Sequence, residues 1–380
     1  MAQQADVRVL QPVPTFPLLR PLPAWARAPA HTHHGVKIEH ARMFYVPGLF
    51  KSLDSRWLAR SIQRAVSQAR SRGALDLLDA HFGYPDGVGC VRVGQRLGVP
   101  VFVTLRGLEV DILQAPALRS QLLDALHAAA GCISVSHSLK DLMVSHGIAA
   151  AKIAVIPNAI DSDAFRPGDR AAARSRLGLS ADRPLIVSVG NLLRVKRHDV
   201  LIRAVHELRA RHPDVQLAII GAATHEPETP QALRDLCRQL RIEQAVRFVG
   251  RVAPSEVVEW LRAADVFALA SEREGCCNAV LEALATGVPV VTTPAGDNAQ
   301  YVKSGQNGVL APIGDSAALA AALAQALAND TWKAAEISRA LHSAVGNWTD
   351  VAARVLQFFR QRLASPADRF ESMRQAEAQT

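Results

Sequence analysis

The chain has 380 residues and a net charge of +8, and its length predicts two domains rather than one. With 49% hydrophobic and 21% charged residues, the composition excludes a largely disordered protein. Neither a run of about 18 apolar residues nor a basic start followed by an apolar stretch occurs in the sequence, so we expect no transmembrane helix and no secretory signal. The five cysteines form no CxxC pair, which indicates reduced thiols and a cytoplasmic protein.

The positive charge is concentrated in the first part of the chain. Residues 1–150 contain 16 Lys and Arg against 10 Asp and Glu, whereas the remaining residues contain 27 against 25. A basic surface can face an anionic membrane, a phosphorylated lipid or nucleic acid. Because the basic segments lack the interleaved aromatic residues of RNA-binding proteins, we expect no nucleic-acid partner.

The first half of the chain contains five short runs with the composition of strands. They are VRVL (7–10), LDLLDAHF (75–82), VPVFVTLRG (99–107), GCISVS (131–136) and KIAVIPN (152–158). A proline-rich loop with six prolines from Pro12 to Pro29 follows the first run. The segment 158–170 has turn residues and few apolar ones, which is typical of a linker between two α/β domains.

An amphipathic helix is predicted near 54–70. Its apolar side carries Leu53, Trp57, Leu58, Ile62, Ala65 and Val66, and the basic residues around that side are Lys51, Arg56, Arg60, Arg64, Arg70 and Arg72. A basic amphipathic helix can lie on an anionic bilayer. An ordinary helix that packs its apolar stripe on a sheet has the same pattern, so both interpretations stay open.

The second half alternates apolar strands with helices more regularly. The predicted strands are 184–190, 215–221, 245–250, 265–271 and 288–293, and the predicted helices between and after them include 230–240, 254–263, 278–286 and 316–328. Near-continuous apolar runs are typical of parallel strands that are buried on both faces, so a doubly wound α/β domain is expected. Ligands of such sheets bind at the carboxyl ends of the strands, where Gly190, Gly221, Gly250 and Ser271 lie.

The richest pattern of polar residues is SEREGCCNAVLEALATGVPVV at 271–291. It places Glu274 after a strand and Glu282 in the second turn of a helix that begins near Asn278. The N-terminus of that helix would offer backbone N–H groups and a positive dipole to a diphosphate. Alternatively, Glu274 is a solvated loop charge and Glu282 an ordinary helix residue.

This block resembles the signature of the retaining glycosyltransferases of family four, in which two glutamates stand eight positions apart in a fixed frame. The matching residues are Glu274, Gly275, Asn278, Leu281, Glu282, Ala283, Ala285, Gly287 and Pro289. The resemblance covers about residues 7–364, and bacterial exopolysaccharide and capsule glycosyltransferases are similar. It implies the α/β fold called GT-B, in which two Rossmann-like doubly wound domains face each other across a cleft.

The resemblance also implies roles for individual residues of the second domain. Glu274 would contact the transferred sugar of a nucleoside-diphosphate sugar, and Glu282 would bind the ribose. The segment SVGNLLRVKRHDVLI (188–202) is similar to the phosphate-binding segment of the family. The implied donor-binding residues are Gly190, Asn191, Lys196, Gly275, Cys276, Cys277, Asn278 and Glu282. Lys196 would also offset charge on the leaving diphosphate, although a lone lysine is more often a solvated surface residue.

In the first domain, LLDAHFGYPDG (77–87) resembles a strand end at which the family has a histidine close to the acceptor and donor sugars. His81 takes that position and is a candidate catalytic residue, although an isolated histidine of this kind is more often simply packed. The segment TLRGLEVD (104–111) resembles the acceptor-side loop, and it makes Arg106 a candidate contact for the acceptor or a phosphate.

Two patterns suggest a metal but are expected to hold none. Asp161, Ser162 and Asp163 spell DxD in a turn where Asp is favoured for backbone hydrogen bonding. His31, His33 and His34 have no evident fourth ligand. We therefore expect neither a metal nor a cofactor, and only a nucleoside-diphosphate sugar as donor substrate.

The expected domain organisation is an acceptor-side domain over 1–165, a nucleotide-sugar-binding domain over 166–348, a helix over 349–364 that crosses back to the first domain, and a mobile tail over 365–380. The family begins with a strand–helix unit that has no match here. Either the true start lies upstream or the chain is degenerate. A second departure is Arg197, which replaces the usual glycine after Lys196.

The resemblance predicts a metal-independent hexosyltransferase that acts in bacterial polysaccharide biosynthesis. Its acceptor would be a glycan or a lipid-linked intermediate, and the protein would be cytoplasmic with peripheral contact at the inner face of the plasma membrane. Two alternatives stay open, namely a catalytically inactive GT-B partner in polysaccharide assembly and a nucleotide-sugar epimerase.

Overall fold

The computed structural model describes residues 1–2, 4–15, 30–33, 35–46, 48–73, 75–223, 226 and 229–364. Part of the predicted proline-rich loop, His34 and the predicted mobile tail lie outside these residues. The chain divides into two compact units. One unit is Met1–Pro157 together with the chain from Thr349 onward, and the other is Asn158–Trp348. The second unit begins earlier than the predicted position 166. The segment that precedes this position belongs to the second unit, since Phe165 packs against its core.

The first unit contains two sheets. Its strands are β1 (Arg8–Thr15), β2 (Ala30–His33), β3 (Val36–Phe44), β4 (Leu78–His81), β5 (Val101–Leu105), β6 (Gly131–Ser134) and β7 (Ile153–Val155). The three-stranded sheet has the order β1-β3-β2, and the four-stranded sheet has the parallel order β4-β5-β6-β7. His81 at the end of β4 pairs in register with Thr104 on β5.

The sequence did not predict β2 and β3, and it ended the first strand too early. Pro12 and Pro14 were taken as the start of a loop, yet both lie within β1. Proline cannot donate a ladder hydrogen bond, but an edge strand tolerates it because one side of that strand needs no partner. β1 is such an edge strand, since it pairs only with β3, from Arg8 opposite Lys37 to Thr15 opposite Phe44.

The first unit surrounds its sheets with helices. They are α1 (Asp54–Ser71), α2 (Val88–Leu97), α3 (Glu109–Gln114), α4 (Pro116–Ala128) and α5 (His137–Ser145). The turn Gly83–Gly87 precedes α2 and is not a regular helix, since Tyr84 has φ −140° and ψ 136°. The apolar side of α1 is buried, and Leu58, Ile62 and Val66 pack with Met43 and Val93. Of the two interpretations of this helix, the structure therefore shows the one in which the stripe faces a core. None of the described helices combines the length and hydropathy that a membrane span requires.

The second unit contains one parallel sheet of six strands. They are β8 (Leu185–Val189), β9 (Gln216–Ile220), β10 (Val246–Gly250), β11 (Val266–Leu269), β12 (Val290–Thr292) and β13 (Gly308–Leu310). Their order is β10-β9-β8-β11-β12-β13, and every pairing is parallel. The five predicted strands are confirmed, and the short β13 was not predicted.

Helices cover both faces of this sheet. They are α6 (Arg170–Arg176), α7 (His198–Leu208), α8 (Thr229–Leu240), α9 (Pro254–Ala263), α10 (Asn278–Ala285), α11 (Asn298–Tyr301), α12 (Ser316–Ala328) and α13 (Ala334–Val345). α7, α8 and α12 pack on one face, and α6, α9, α10 and α13 pack on the other. The predicted doubly wound domain is thus confirmed. The helices that follow β8 and β9 lie on one face of the sheet and those that follow β10 and β11 lie on the other, so the strand order reverses between β8 and β11.

The last helix, α14 (Trp348–Leu363), packs on the first unit. Val355 and Phe359 join a small core with Phe102, Ile133 and Ile156. The rings of Phe102 and Phe359 have their centroids 4.4 Å apart. The first unit is therefore built from both ends of the chain.

Candidate active site

The strongest candidate site lies in the second unit, at the carboxyl ends of β8 and β11. This is where the strand order reverses, and such a switch point is the usual ligand site of an open α/β sheet. Gly190 follows β8, and its N–H donates to the carbonyl of Ile220 at 2.9 Å. A Cβ on Gly221 would lie 2.0 Å from the Gly190 carbonyl oxygen, so only glycine permits these two strand ends to approach so closely.

Lys196 and Glu274 form an ion pair at this edge of the sheet. Lys196 Nζ lies 2.7 Å and 2.9 Å from the two carboxylate oxygens of Glu274. The two segments are joined by the backbone, because the N–H of Glu272 donates to the carbonyl of Val195 at 2.9 Å. Burial disfavours the charged form of Lys196, but the carboxylate of Glu274 outweighs this effect and raises the pKa of Lys196. Both residues were predicted, and the structure brings them together.

The other predicted residues of this loop lead into helix α10. Gly275, Cys276 and Cys277 connect Glu274 to Asn278, where α10 begins as predicted, and no side chain caps the helix N-terminus. Asn278 is not a free ligand group in this structure, because its Oδ1 accepts from Nδ2 of Asn158 at 2.9 Å. The Cys277 thiol is buried, which raises its pKa, so this thiol is not a nucleophile. The N–H groups of Asn278 and Val280 donate to the carbonyls of Cys276 and Cys277 at 3.0 Å and 3.1 Å, so the start of α10 offers an anion mainly the positive end of the helix dipole.

Glu282 lies one turn into α10 and differs from Glu274 in its surroundings. Among the described residues, its carboxylate forms no hydrogen bond and no ion pair. Burial raises the pKa of Glu282 to about 7. Glu282 is only half-buried, so its carboxylate remains accessible to a ligand that donates hydrogen bonds to it.

Sequence reasoning missed two residues that frame this site. His198 is buried under the predicted Asn191, whose carbonyl lies 3.4 Å from Nε2 of the ring, and burial lowers the pKa of His198 to about 4. Gly296 (φ +58°) packs so closely on the backbone of Glu274 that a Cβ would lie 2.7 Å from the Glu274 carbonyl oxygen. Gly296 could have been noticed in the sequence, whereas no residue pattern around His198 indicated that this histidine is buried and neutral.

The predicted acceptor-side residues also meet, within the first unit. Nε and Nη2 of Arg106 lie 3.1 Å and 2.9 Å from Nδ1 of His81. Nε2 of His81 lies 3.3 Å from the carboxylate of Asp79, which in turn accepts from the hydroxyl of Thr104 at 3.1 Å. Burial raises the pKa of the neighbouring Asp86 to about 6, although His81 opposes this shift. Asp79 and Thr104 were not singled out from the sequence.

Both suspected metal patterns have other uses. Oδ1 of Asp161 accepts the N–H groups of Asp163 and Ala164, each at 3.1 Å, as an Asp in a turn commonly does. Nδ1 of His31 lies 3.1 Å from Nε2 of His40. Within the described ranges, no group of three or more His, Cys, Asp or Glu side chains is arranged to hold a metal.

Two family models match the chain, one on each unit. Residues 5–164 match the model described as Glycosyltransferase Family 4, and residues 169–343 match Glycosyl transferases group 1. The D-inositol 3-phosphate glycosyltransferase of Acidothermus cellulolyticus is 30% identical over 312 residues, which cover 78% of this chain and 69% of that protein. The enzyme of the same name from Nocardioides sp. is 29% identical and covers 87% and 78% of the two chains.

Solved structures agree on the fold. Alr3699/HepE of Anabaena, in complex with UDP and glucose, superimposes with a TM-score of 0.73 at 22% identity and covers 86% of each chain. Sucrose-phosphate synthase of Thermosynechococcus elongatus superimposes with a TM-score of 0.77 at 21% identity and covers 95% of this chain and 90% of that one. Two Rossmann-like domains with the GT-B fold, together with these relatives, show that the chain belongs to glycosyltransferase family 4.

Proposed function

We propose that the protein transfers a hexose, with retention of anomeric configuration, from a nucleoside-diphosphate sugar to a hydroxyl group of a bacterial glycan or lipid-linked acceptor. One observation carries this proposal. The Lys196–Glu274 pair, the N-terminus of α10 and the carboxylate of Glu282, which has no partner among the described residues, follow one another at the switch point of the second sheet. Together they offer a cation, backbone donors and a hydrogen-bond acceptor, which matches a diphosphate joined to a ribose. HepE structures with UDP and with UDP-glucose support a donor of this class.

The residues of the second unit would divide the chemistry among them. Lys196 and the amide groups at the start of α10 would stabilise the negative charge of the departing diphosphate. Glu274 would contact the transferred sugar, and Glu282 would accept hydrogen bonds from the ribose. The leaving phosphate oxygen would take the proton of the acceptor hydroxyl on the same face of the sugar, without a metal. Chelation with EDTA is therefore expected to leave the rate unchanged.

The acceptor would bind to the first unit, where His81 and Arg106 meet. A membrane-bound acceptor is supported by the loop that precedes α1, in which Leu49 and Phe50 are 59% and 61% exposed. The exposed side chains of Arg56 and Arg60 lie on the adjacent helix. Apolar side chains beside basic ones suit the cytoplasmic face of an anionic membrane. Replacement of Leu49 and Phe50 by Ser should reduce co-sedimentation with phosphatidylglycerol vesicles.

A second candidate acceptor is a soluble inositol phosphate. The curated relatives from Acidothermus cellulolyticus and Nocardioides are named for D-inositol 3-phosphate. The guanidinium of Arg106, at the carboxyl end of β5, is the group of the first unit that would contact a phosphate. A soluble inositol phosphate would be glycosylated without a membrane. Assays with and without vesicles therefore distinguish the two candidate acceptors.

The test combines donor binding with turnover. UDP-glucose, UDP-N-acetylglucosamine, ADP-glucose and GDP-mannose are titrated by thermal shift, and release of nucleoside diphosphate is then measured with vesicles that carry a lipid-linked sugar or with D-inositol 3-phosphate. Acceptor-dependent release from one of these donors is expected. Absence of donor binding would support an inactive partner instead, and conversion of the bound sugar without transfer would support an epimerase.

A further inference from the structure

The first unit contains a carboxylate that is completely removed from solvent. Glu109, the first residue of α3, is 0% exposed. Its Oε1 accepts the N–H of Gly83 at 2.7 Å, and its Oε2 accepts the N–H groups of Gly107 at 2.7 Å and Arg106 at 3.2 Å. Among the described residues, backbone amides are its only hydrogen-bond partners and it has no ion pair. Three charge-assisted hydrogen bonds explain how a buried charge is tolerated there.

These three amides belong to the loops that carry the two acceptor-side residues. Gly83 is two residues beyond His81, after β4, and Arg106 and Gly107 follow β5 directly. β4 and β5 are neighbours in the sheet, so their carboxyl ends lie side by side. A single carboxylate therefore bridges the backbone of both loops.

The loop after His81 requires such support because its backbone is strained. Phe82 has φ +74° and ψ 141°, a conformation that an aromatic residue rarely adopts. Hydrogen bonds hold it on both sides, from Phe82 N–H to the Thr104 carbonyl and from Gly87 N–H to the Phe82 carbonyl. The next amide, that of Gly83, is the one that Glu109 binds. A Cβ on Gly83 would lie 2.5 Å from a methyl carbon of Leu122 and 3.2 Å from Cγ of Glu109, so a larger residue here would require these side chains to move.

The side chains that these loops present depend on each other. A guanidinium can only donate, so Nδ1 of His81 must be the acceptor from Arg106 and must carry no proton. The ring proton then lies on Nε2, which faces Asp79 at 3.3 Å. A shift of either loop would break this arrangement, because the contact between Arg106 and His81 joins the two strand ends.

We propose that Glu109 is a positioning residue of the acceptor site. It fixes the backbone of both loops so that the imidazole of His81 and the guanidinium of Arg106 keep one tautomer and one orientation toward the acceptor. This inference rests on the proposed function, since it assumes that these two side chains meet an acceptor. It assigns to Glu109 no contact with the substrate itself.

The test compares Glu109→Gln and Glu109→Asp with Asp111→Asn, an exposed acidic residue on the same short helix. In Glu109→Gln we expect kcat/KM for the acceptor to fall about 10- to 100-fold, which is the usual effect of a misplacement near 1 Å. In Glu109→Asp the acceptor kcat/KM should fall less, because the negative charge of the side chain remains. The Kd for the nucleotide sugar should stay within about twofold of wild type, since the donor residues lie in the other unit. An unchanged acceptor kcat/KM in Glu109→Gln would overturn the proposal.

Two further measurements separate this inference from the proposed function. The 15N chemical shifts of the His81 ring report its tautomer, and Glu109→Gln should mix the two neutral forms. If the wild-type protein transfers no sugar, the proposed function fails, whereas an unchanged His81 spectrum in Glu109→Gln contradicts the role of Glu109. If the variants do not fold, the rates of amide hydrogen exchange in the wild-type protein test the proposal. Rapid exchange at Gly83 and Gly107 would contradict the proposed hydrogen bonds.

Discussion

Glu109 in the first unit is fully buried and Glu282 in the second is half-buried, and the surroundings of their carboxylates are opposite. Glu109 accepts three backbone hydrogen bonds from two loops. The carboxylate of Glu282 has no partner among the described residues, and burial raises its pKa to about 7. Burial of an acidic side chain therefore does not by itself identify a ligand group. What matters is whether the chain itself already occupies the carboxylate oxygens.

Glu274 is intermediate between these two. Its side chain is 7% exposed and its oxygens are occupied, but the partner is the mobile end of a lysine instead of backbone amides. An ammonium group has three donors and can bind a carboxylate and a phosphate together. In the proposed complex, Lys196 would therefore contact the Glu274 carboxylate and the diphosphate together. Of these three glutamates, Glu109 holds two loops together, Glu274 holds the cation of Lys196, and Glu282 has no partner among the described residues.

The largest effect on the transfer rate is expected from substitution of Glu274. Glu274→Gln keeps the shape of the side chain but removes the charge, and we expect the transfer rate to fall by about 10²–10³-fold. The affinity for nucleoside diphosphate should stay within about threefold, because Lys196 and the helix N-terminus remain. Single-turnover rates and calorimetric Kd values measure the two quantities separately.

Glu272→Gln is the matched control, because this glutamate stands on the same loop but is 53% exposed. It should turn over at the wild-type rate. Wild-type turnover by Glu274→Gln would refute the assignment of Glu274 to the transferred sugar.

The second prediction concerns stability, where Glu109 and Glu282 should respond to substitution with opposite signs. Glu109→Gln replaces one carboxylate oxygen by an NH2 group, which cannot accept from backbone N–H groups, so we expect a loss of about 2–3 kcal/mol at pH 8. Glu282→Gln removes a charge that the folded state disfavours. An acid whose pKa is raised by folding loses stability as pH rises from about 4.5 to about 7, so this variant should gain about 1–3 kcal/mol at pH 8.

The gain in Glu282→Gln should nearly vanish at pH 4.5, where the folded wild-type protein keeps the proton on Glu282. Denaturant unfolding at both pH values, followed for each unit by its own probe, measures the difference. Equal losses of stability in both variants would contradict the distinction between a satisfied and an unsatisfied carboxylate.

The sequence predicted the second unit more completely than the first. Apolar strands buried on both faces have an unmistakable composition, and the five predicted strands from 184–190 to 288–293 are all present. Glu274, Asn278 and Glu282 lie in one contiguous motif, so their proximity followed from chain order, whereas the contact of Glu274 with Lys196 joins residues 78 positions apart. β13 was not predicted, because a strand of three residues, Gly308–Leu310, is too short to show a recognisable pattern of apolar residues.

In the first unit the informative features were not local. Edge strand β1 tolerates prolines because of its position in the sheet, which no residue pattern shows. The role of Glu109 depends on amides 26 residues away along the chain, at Gly83. The sequence likewise does not reveal the state of His198, because this residue is buried and neutral only through packing in the folded protein. Edge and short strands, together with contacts between residues distant in the chain, set the limit of the prediction.

The smallest effect is a pH dependence of donor affinity. Because the pKa of Glu282 is raised to about 7, its carboxylate form is the minor species at pH 6 and the major one at pH 8. If only the carboxylate accepts both ribose hydroxyl groups, the wild-type Kd for a nucleotide sugar should tighten about tenfold over this range. UDP-glucose is a better probe than UDP, whose terminal phosphate itself titrates near pH 6, at about the second pKa of a phosphate monoester. Glu282→Gln should bind with an affinity that does not change with pH, about tenfold weaker than wild type at pH 8. A wild-type Kd that is constant between pH 6 and pH 8 would mean that Glu282 does not meet the donor, and the comparison with Glu109 would then rest on stability alone.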